Sequence, residues 1–302
     1  MKPAATSVQV SYQWASFARL ALVSALLIVG CHGAPESFLA QLDEARQTAA
    51  DLRVQLNRET DASNRAVMAD TDESSVAFAR EAEATAQVLE NDRAALASVL
   101  GRLNYTAEIQ ALAQFDRHFA EYRKLDREIL ALAVENTNLK AQKLSFGPAR
   151  EAADGFRTSL ESVLPLVPAK SRCRAETLVD QALLAVREVQ VLQAPHIAER
   201  DDAAMTRFEN EMSRLKTTTR SALTELSSLG EPSASAPLSA ALQALERFDK
   251  LGADIIALSR RNTNVRSLDL ALRERPPLVA ACDESLRALQ AALAKEGAKG
   301  TR

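Results

Sequence analysis

The sequence predicts an all-α protein made of two tandem antiparallel four-helix bundle units. Composition, helical stripes and an internal repeat carry that reading. Hydrophobic residues make up 47% of the 302-residue chain, yet aromatics are only 4% and glycines number nine. Ala, Leu, Arg and Glu dominate, a mixture that favours helix and starves a sheet of β-branched and aromatic residues.

The stripes recur every three or four residues, the spacing of one helix face. Residues 107–136 place Ile109, Leu112, Phe115, Phe119, Tyr122, Leu125, Ile129 and Leu132 on one line. Residues 235–262 repeat it with Leu238, Leu242, Leu245, Phe248, Leu251, Ile255 and Leu258. Met205, Phe208, Met212, Leu215, Thr219, Ala222, Leu226 and Leu229 form a third stripe, and Val279, Cys282, Leu286, Leu289 and Leu293 a fourth. Such seams pack at shallow angles, as in antiparallel bundles.

The repeat appears on shifting the chain by 126 residues. Asn136-Thr137-Asn138 then falls on Asn262-Thr263-Asn264, and Leu125, Ile129, Ala131 and Leu132 fall on Leu251, Ile255, Ala257 and Leu258. The register holds without gaps from Leu89 on Leu215 to Leu160 on Leu286. Each copy reads as four helices: 38–68, 75–103, 107–136 and 148–164 in the first, 170–194, 197–229, 235–262 and 276–297 in the second. A short helical piece follows each Asn-Thr-Asn. The units are therefore 38–164 and 165–297, with a tail at 298–302. Separate bundles, a shared core, and fused helices one and two all fit this pattern.

Breaks mark the ends. Asp70 precedes Glu73 by three residues, a capping-box pattern. Gly147-Pro148 and Pro276-Pro277 place prolines in the first turns of the fourth helices. Gly230 to Ser235 is a turn cluster. Pro165 and Pro168 lie between the copies, and Pro195 separates helices one and two of the second.

Residues 1–30 read as an address. Lys2 and Arg19 precede an apolar run from Leu20 to Val29, within the ~7–15 residues of a signal h-region and short of the ~20 that span a bilayer. Ile28-Val29-Gly30-Cys31 resembles a bacterial lipobox. That resemblance implies lipid on the Cys31 sulfur and cleavage just before it, leaving 31–37 as a tether. The alternative is an uncleaved signal anchor in the same compartment. The leader holds two of the 37 cations and none of the 40 acids, so the remainder carries a net charge of −5. His32 stands where an inner-membrane retention signal has Asp, so the outer membrane is preferred over the inner for this periplasm-facing protein.

Tyr122-Arg123-Lys124-Leu125-Asp126-Arg127-Glu128-Ile129-Leu130-Ala131-Leu132-Ala133, a polar turn, and Leu139 to Leu144 resemble the third-to-fourth helix junction in the sensor bundle of methyl-accepting chemotaxis receptors. Residues 248–270 resemble it more loosely. The family has glycine in the turn where this chain has Asn136 and Asn262, and Asn tolerates the same left-handed cap. The resemblance implies an extracytoplasmic module that binds small molecules, forms homodimers and signals across the membrane. The chain shows no second membrane helix after Cys31, so signalling requires an envelope protein partner. No ligand-binding residue of the family maps onto this sequence.

Catalytic and metal chemistry find little support. Cys31, Cys173 and Cys282 lack zinc-ligand spacing; Cys282 reads as a buried thiol, with a Cys173–Cys282 disulfide as the alternative. His118 and Glu121 form one reversed pair where a bundle di-iron site needs two pairs and two further glutamates, so they read as solvated. His196 reads as a loop residue after Pro195. Glu81/Glu83, Asp201/Asp202 and Glu209/Glu211 read as surface charge. Thr85 and Asp92 interrupt an apolar face, as a polar patch or as a bundle edge. The Asn-Thr-Asn turns read as caps, or as ligand hydrogen bonders. No phosphate loop, nucleophile elbow or basic groove for nucleic acid is present. The functional expectation is a non-catalytic, cofactor-free sensory or ligand-binding lipoprotein. The alternative is a structural or protein-interaction lipoprotein of the envelope.

Replacing Cys31 with serine is expected to abolish incorporation of a labelled fatty acid and to release the protein from the membrane fraction. Labelling that survives the substitution excludes this anchor.

Overall fold

The structure, a computed structural model, describes residues 38–229 and 232–300; the leader, Cys31 and the tether lie outside the described residues. The ten α-helices are α1 (Phe38–Val67), α2 (Asp72–Leu103), α3 (Thr106–Glu135), α4 (Thr137–Leu144), α5 (Arg150–Glu161), α6 (Arg172–Ala198), α7 (Asp202–Leu229), α8 (Ser235–Arg261), α9 (Thr263–Arg273) and α10 (Arg275–Gly300). A π-helical turn at Ser145–Ala149 joins α4 to α5. Short 3₁₀ turns occupy Leu164–Leu166, Ala169–Ser171 and Pro232–Ala234. No described helix is long and apolar enough to cross a membrane.

The helix ends follow local chemistry. Thr71, and not Asp70, caps α2, accepting the Ser74 N–H at 3.1 Å. Asn104, Asn136 and Asn262 are the described non-glycine residues with positive φ, at 58°, 50° and 53°. Asn is the residue after glycine that best tolerates this region. Two expected breaks are absent. Pro195 lies inside α6, which continues to Ala198. Pro148 lies inside the π turn, so the segment from Thr137 to Glu161 stays helical. The second copy has no π turn, and its chain breaks at Glu274 between α9 and α10. At the C-terminus α10 reaches Gly300, past the expected tail boundary at 298.

The cores do not follow the sequence halves. Leu42, Leu52 and Leu56 of α1, Leu89, Leu96 and Leu100 of α2, and Phe115, Phe119 and Tyr122 of α3 pack with Cys282, Leu286, Leu289 and Leu293 of α10. The other core joins Phe156 and Leu160 of α5 to Leu178 and Val189 of α6, Met212 and Leu226 of α7, and Leu245, Phe248 and Ile255 of α8. Each bundle thus takes its fourth helix from the other copy. Residues 38–164 and 165–297 are repeats of sequence and not units of packing, and together they form one compact body. The physical reason is that α4 and α9 each carry the chain out of its own core, α4 against α8 and α9 against α3. Within the first bundle α1 and α3 run one way and α2 and α10 the other. Arg65 meets Glu81, and Arg275 meets Asp126 while His118 meets Ser285.

The crossing is held reciprocally. The Thr137 N–H donates to Thr263 Oγ1 and the Thr263 N–H to Thr137 Oγ1, both at 3.1 Å. The Asn138 N–H donates to Asn264 Oδ1 at 3.1 Å, and the Asn264 N–H to Asn138 Oδ1 at 3.2 Å. Asn138 Nδ2 reaches Asn262 Oδ1, and Asn264 Nδ2 reaches Asn136 Oδ1, each at 2.8 Å. The first N–H groups of a helix have no partner within it. Here each copy caps the other's helix.

The exchange makes a prediction. With a protease site inserted between Leu164 and Ser171, the cut halves are expected to remain together at native mass on gel filtration. They should separate only in denaturant. Two compact, separable monomers would contradict the exchanged packing.

Candidate functional site

The first bundle buries a polar cluster in its seam. Glu59 and Ser63 of α1, Tyr122 and Asp126 of α3 are fully buried; Arg123 of α3 is 4% exposed and Arg275 of α10 is 2% exposed. Helical spacing of three and four puts Glu59 and Ser63 on one face of α1, and Tyr122 and Asp126 on one face of α3. Arg275 completes the set because α10 arrives from the second copy.

The contacts interlock. Tyr122 Oη donates to Glu59 Oε2 and lies 3.1 Å from Thr60 Oγ1. Ser63 Oγ donates to Asp126 Oδ1 at 2.6 Å. Arg275 Nη1 donates to Ser63 Oγ at 2.6 Å and to Asp126 Oδ1 at 3.3 Å, and Nη2 donates to Asn64 Oδ1. Arg123 is less complete. Its Nη2 donates to Glu83 Oε1 at 2.8 Å, but Nη1 stands 3.8 Å from Glu59 and 4.0 Å from Asp126, and Nε stands 3.6 Å from Glu90. Both Nε and Nη1 are buried without a hydrogen-bond partner.

Burial pushes the Glu59 carboxyl up to about 9, and the Asp126 charge beside it adds to the shift. Glu59 is therefore neutral at pH 7. Burial, with Glu59 second, also raises the Tyr122 phenol far above its usual range. Two guanidinium groups thus face one carboxylate in the interior, with Glu83 and Glu90 at the mouth.

The equivalent positions of the second bundle are apolar. In the 126-residue register, Glu59, Ser63, Tyr122, Asp126 and Arg275 correspond to Ala185, Val189, Phe248, Gly252 and Ala149. All five counterparts are buried. Arg123 beside Glu90 becomes Asp249 beside Lys216, at 3.5 Å, the same pair with its charges exchanged. A bundle of this geometry closes without the cluster.

Grooves flank the cluster. One of about 550 Å³ lies between α1 and the α9–α10 segment, lined by Asn57, Thr60, Asn64, Arg275 and Asp283. One of about 420 Å³ lies between α2 and α3, with Arg123 in its wall beside Arg93, Lys124 and Arg127. A third, of about 310 Å³, continues that seam past Arg127 along Val76, Leu130, Ala131 and Val134. A cleft of about 600 Å³ at the crossing mixes Arg200, Arg261, Arg266 and Arg273 with Asp201 and Asp269.

Several residues singled out in the sequence sit elsewhere than expected. His118 is half-buried in the seam with α10, 2.9 Å from Ser285 Oγ, because the exchanged helix covers it. Glu121 is exposed, and no described group of side chains has metal-binding geometry. His196 is fully buried, 2.9 Å from Ser259 and 2.8 Å from Glu209, because α6 runs through Pro195. Glu83 and Glu209 are more than surface charge, since each receives an arginine: Arg123 at 2.8 Å and Arg260 at 2.6 Å. Arg260, then burial in opposition and His196, leave the Glu209 carboxyl below its usual range. Thr85 bonds its own helix, and Asp92 lies at the bundle edge, where burial and Asp51 raise its carboxyl. Cys173 is exposed and Cys282 buried, and both are free thiols. Burial pushes the Cys282 thiol up to about 12. The Asn-Thr-Asn turns are caps, as the sequence indicates, but they cap across the two copies.

Sequence reasoning missed the polar cluster. The stripe of α3 passes through Leu125, which is only half-buried, while Asp126 carries the seam position. The available signal was the repeat itself, which sets Glu59 against Ala185 and Asp126 against Gly252.

No protein-family model and no curated protein matches the chain. Among solved structures, the sensor domain of the V. parahaemolyticus histidine kinase sensor TorS is similar at 11% identity and a TM-score of 0.49, over 83% of this chain and 97% of that one. A likeness of that degree assigns neither fold nor activity.

Replacing Arg275 with leucine leaves Asp126 buried without its hydrogen-bonded cation, an expected cost of about 3–5 kcal/mol in urea unfolding. Glu59→Gln should cost far less, because the native carboxyl is already neutral. Between 4.5 and about 9 the folded chain keeps a Glu59 proton that the unfolded chain has lost. That contribution to stability is full below 4.5 and declines as pH rises through the window. Glu59→Gln is expected to flatten the decline, and an unchanged pH profile would remove Glu59 as its source.

Proposed function

We propose that this chain is a lipid-anchored, non-catalytic ligand-binding module of the bacterial envelope that receives a small polar molecule and signals through a membrane-spanning partner. One observation carries the reading: a cluster of buried charged and hydroxyl groups occupies five positions of the first bundle whose counterparts in the second are Ala185, Val189, Phe248, Gly252 and Ala149. Buried ion pairs are poor stabilisers. Well-packed apolar residues in their place are often neutral or stabilising by about 1–4 kcal/mol. The second bundle is the built-in comparison: it has those five residues at the same positions, and its own buried polar groups, such as His196, Gln193 and Ser259, lie elsewhere. A cluster that the architecture does not need is best explained by recognition.

The flanking grooves support the same reading. Ligand sites in bundles lie between helices and combine apolar walls with a few convergent polar groups. Arg123, Arg275 and Thr60 connect the buried cluster to grooves on opposite sides. The cations favour an anionic or carboxylate-bearing ligand. The lipobox resemblance supports anchoring through Cys31, and action through a partner is part of the same proposal. The pairing that the resemblance implies for a homodimer has an internal counterpart in the two bundles of one chain.

A thermal-shift screen of the full chain against amino acids, organic acids and amines tests the reading. At least one anionic compound is expected to raise the melting temperature in a saturable way. Arg275→Leu and Arg123→Gln should lose the response while Arg207→Gln, on the far surface of α7, retains it. Silence across the whole library would favour a structural spacer instead.

A further inference from the structure

We propose that the seam between α2 and α3 binds an amphipathic carboxylate, with its head group on Arg123 and its hydrocarbon tail along Leu130, Ala131 and Val134. The inference rests on the ligand-binding reading above and names its site and ligand class.

The head-group end is defined by an unmet demand. Arg123 is 4% exposed, yet Nε and Nη1 have no hydrogen-bond partner. Buried guanidinium N–H groups are seldom left unpaired, because each forfeits the hydrogen bond it had with water. Nη1 is turned toward Glu59 and Asp126, at 3.8 and 4.0 Å. Nε is turned toward Glu90, which lines the α2–α3 groove. Glu90 does not satisfy it: the distance is 3.6 Å, and the same Glu90 oxygen is 3.9 Å from Arg127. Arg93 is already matched by Asp116 at 3.0 Å. Lys124 has no acidic partner among the described residues. The groove therefore holds four cations against Glu90 and Asp116. An incoming carboxylate that displaces the Glu90 side chain would meet the Arg123 Nε–H together with the free charge of Lys124.

The tail end follows from continuity. Arg127 lines the cationic groove and also the next one along the seam. That second groove, about 310 Å³, is walled mainly by Val76, Ala79, Leu130, Ala131 and Val134, with Arg80 and Glu83 also in its lining. A simple dicarboxylate or amino acid would leave these apolar walls wet. A free hydrocarbon would leave Arg123 unpaired. A molecule with one carboxylate and a short alkyl or aryl chain meets both needs. The α1–α10 groove lacks this combination, because the Arg275 guanidinium is already bonded to Ser63, Asp126 and Asn64.

Calorimetric titration of the full chain with octanoate, acetate and octylamine tests the proposal. Octanoate should bind at a single site. Acetate should bind at least about 100-fold more weakly for want of the buried chain, and octylamine should not bind. Arg123→Gln should weaken octanoate about tenfold or more. Because that buried substitution risks the fold, Lys124→Glu and Ala131→Trp, both at exposed positions, are to be measured beside it. Each should weaken octanoate about tenfold, the second by filling the tail groove, while Arg207→Gln leaves it unchanged. Equal binding of acetate would overturn the tail, and equal binding of octylamine would overturn the head group. Octanoate binding indifferent to Lys124→Glu and Ala131→Trp would place it elsewhere. If octanoate fails while another compound stabilises the protein, this inference falls and the ligand-binding reading stands.

Discussion

Three helices carrying apolar stripes leave one side of their core open, and where the covering helix comes from decides the rest of this molecule. At Asn136 and Asn262 the backbone takes a single left-handed step and starts a new helix at the next residue. The new helix begins with N–H groups that have no partner of their own. Thr263 Oγ1 and Asn264 Oδ1 accept from the N–H groups of Thr137 and Asn138, and the reverse pair accepts in turn. Side-chain capping is worth about 1 kcal/mol per site, and four such bonds meet at one crossing. The caps are satisfied only when both copies cross together. That reciprocity sends α5 and α10 into each other's bundles and makes one body of a tandem repeat.

The helices, their stripes and the repeat were legible in the sequence because they depend on local spacing. Phe248 and Ile255 fall on Tyr122 and Ile129 whether or not the fourth helices are exchanged. The exchange itself was not legible for the same reason: an exchanged bundle and an unexchanged one bury the same stripes in the same kinds of contact. The identity of Asn-Thr-Asn in both copies was the visible trace, since residues that bond their own counterparts across an approximate two-fold must be alike. Pro195 and Pro148 misled because proline normally ends a helix. Here Pro195 sits in the last turns of α6, where buried His196 and Ile197 hold the segment in place. The π turn at Ser145–Ala149 absorbs Pro148.

The site was hidden by a different ambiguity. Leu125 and Asp126 are neighbours, and a stripe of threes and fours passes through either. Only the packed structure shows that the seam runs through Asp126, with Leu125 half-buried beside it. Divergence between the copies then becomes informative. Cores that need only to close, as the second does, fill these positions with alanine, valine, phenylalanine and glycine. At the Arg123 position the second bundle has Asp249, paired with Lys216 and Arg220 across the α7–α8 seam. The first bundle instead holds Glu59, Asp126, Arg123 and Arg275 in one connected set.

Within that set the two arginines differ in a way that separates structure from recognition. Arg275 has its guanidinium bonded to Ser63, Asp126 and Asn64, and it ties α10 to α1 and α3 across the exchange. Its charge is matched by Asp126, and its position at the start of α10 makes it part of how the bundles are joined. Arg123 is buried as deeply, but two of its nitrogens lack partners, and a protonated Glu59 gives it no charge to pair with. An unpaired buried donor is a standing cost of about 1–3 kcal/mol. In the second bundle Asp249 stands at this position opposite Lys216 and Arg220, and the cost falls on its Oδ1, which is likewise buried without a hydrogen bond. The first keeps it on α3, one rigid helix that carries both the unsatisfied guanidinium and, at its end, the left-handed Asn136 of the crossing. An anion that completes Arg123 therefore acts on the same helix whose C-terminus fixes the joint between the bundles.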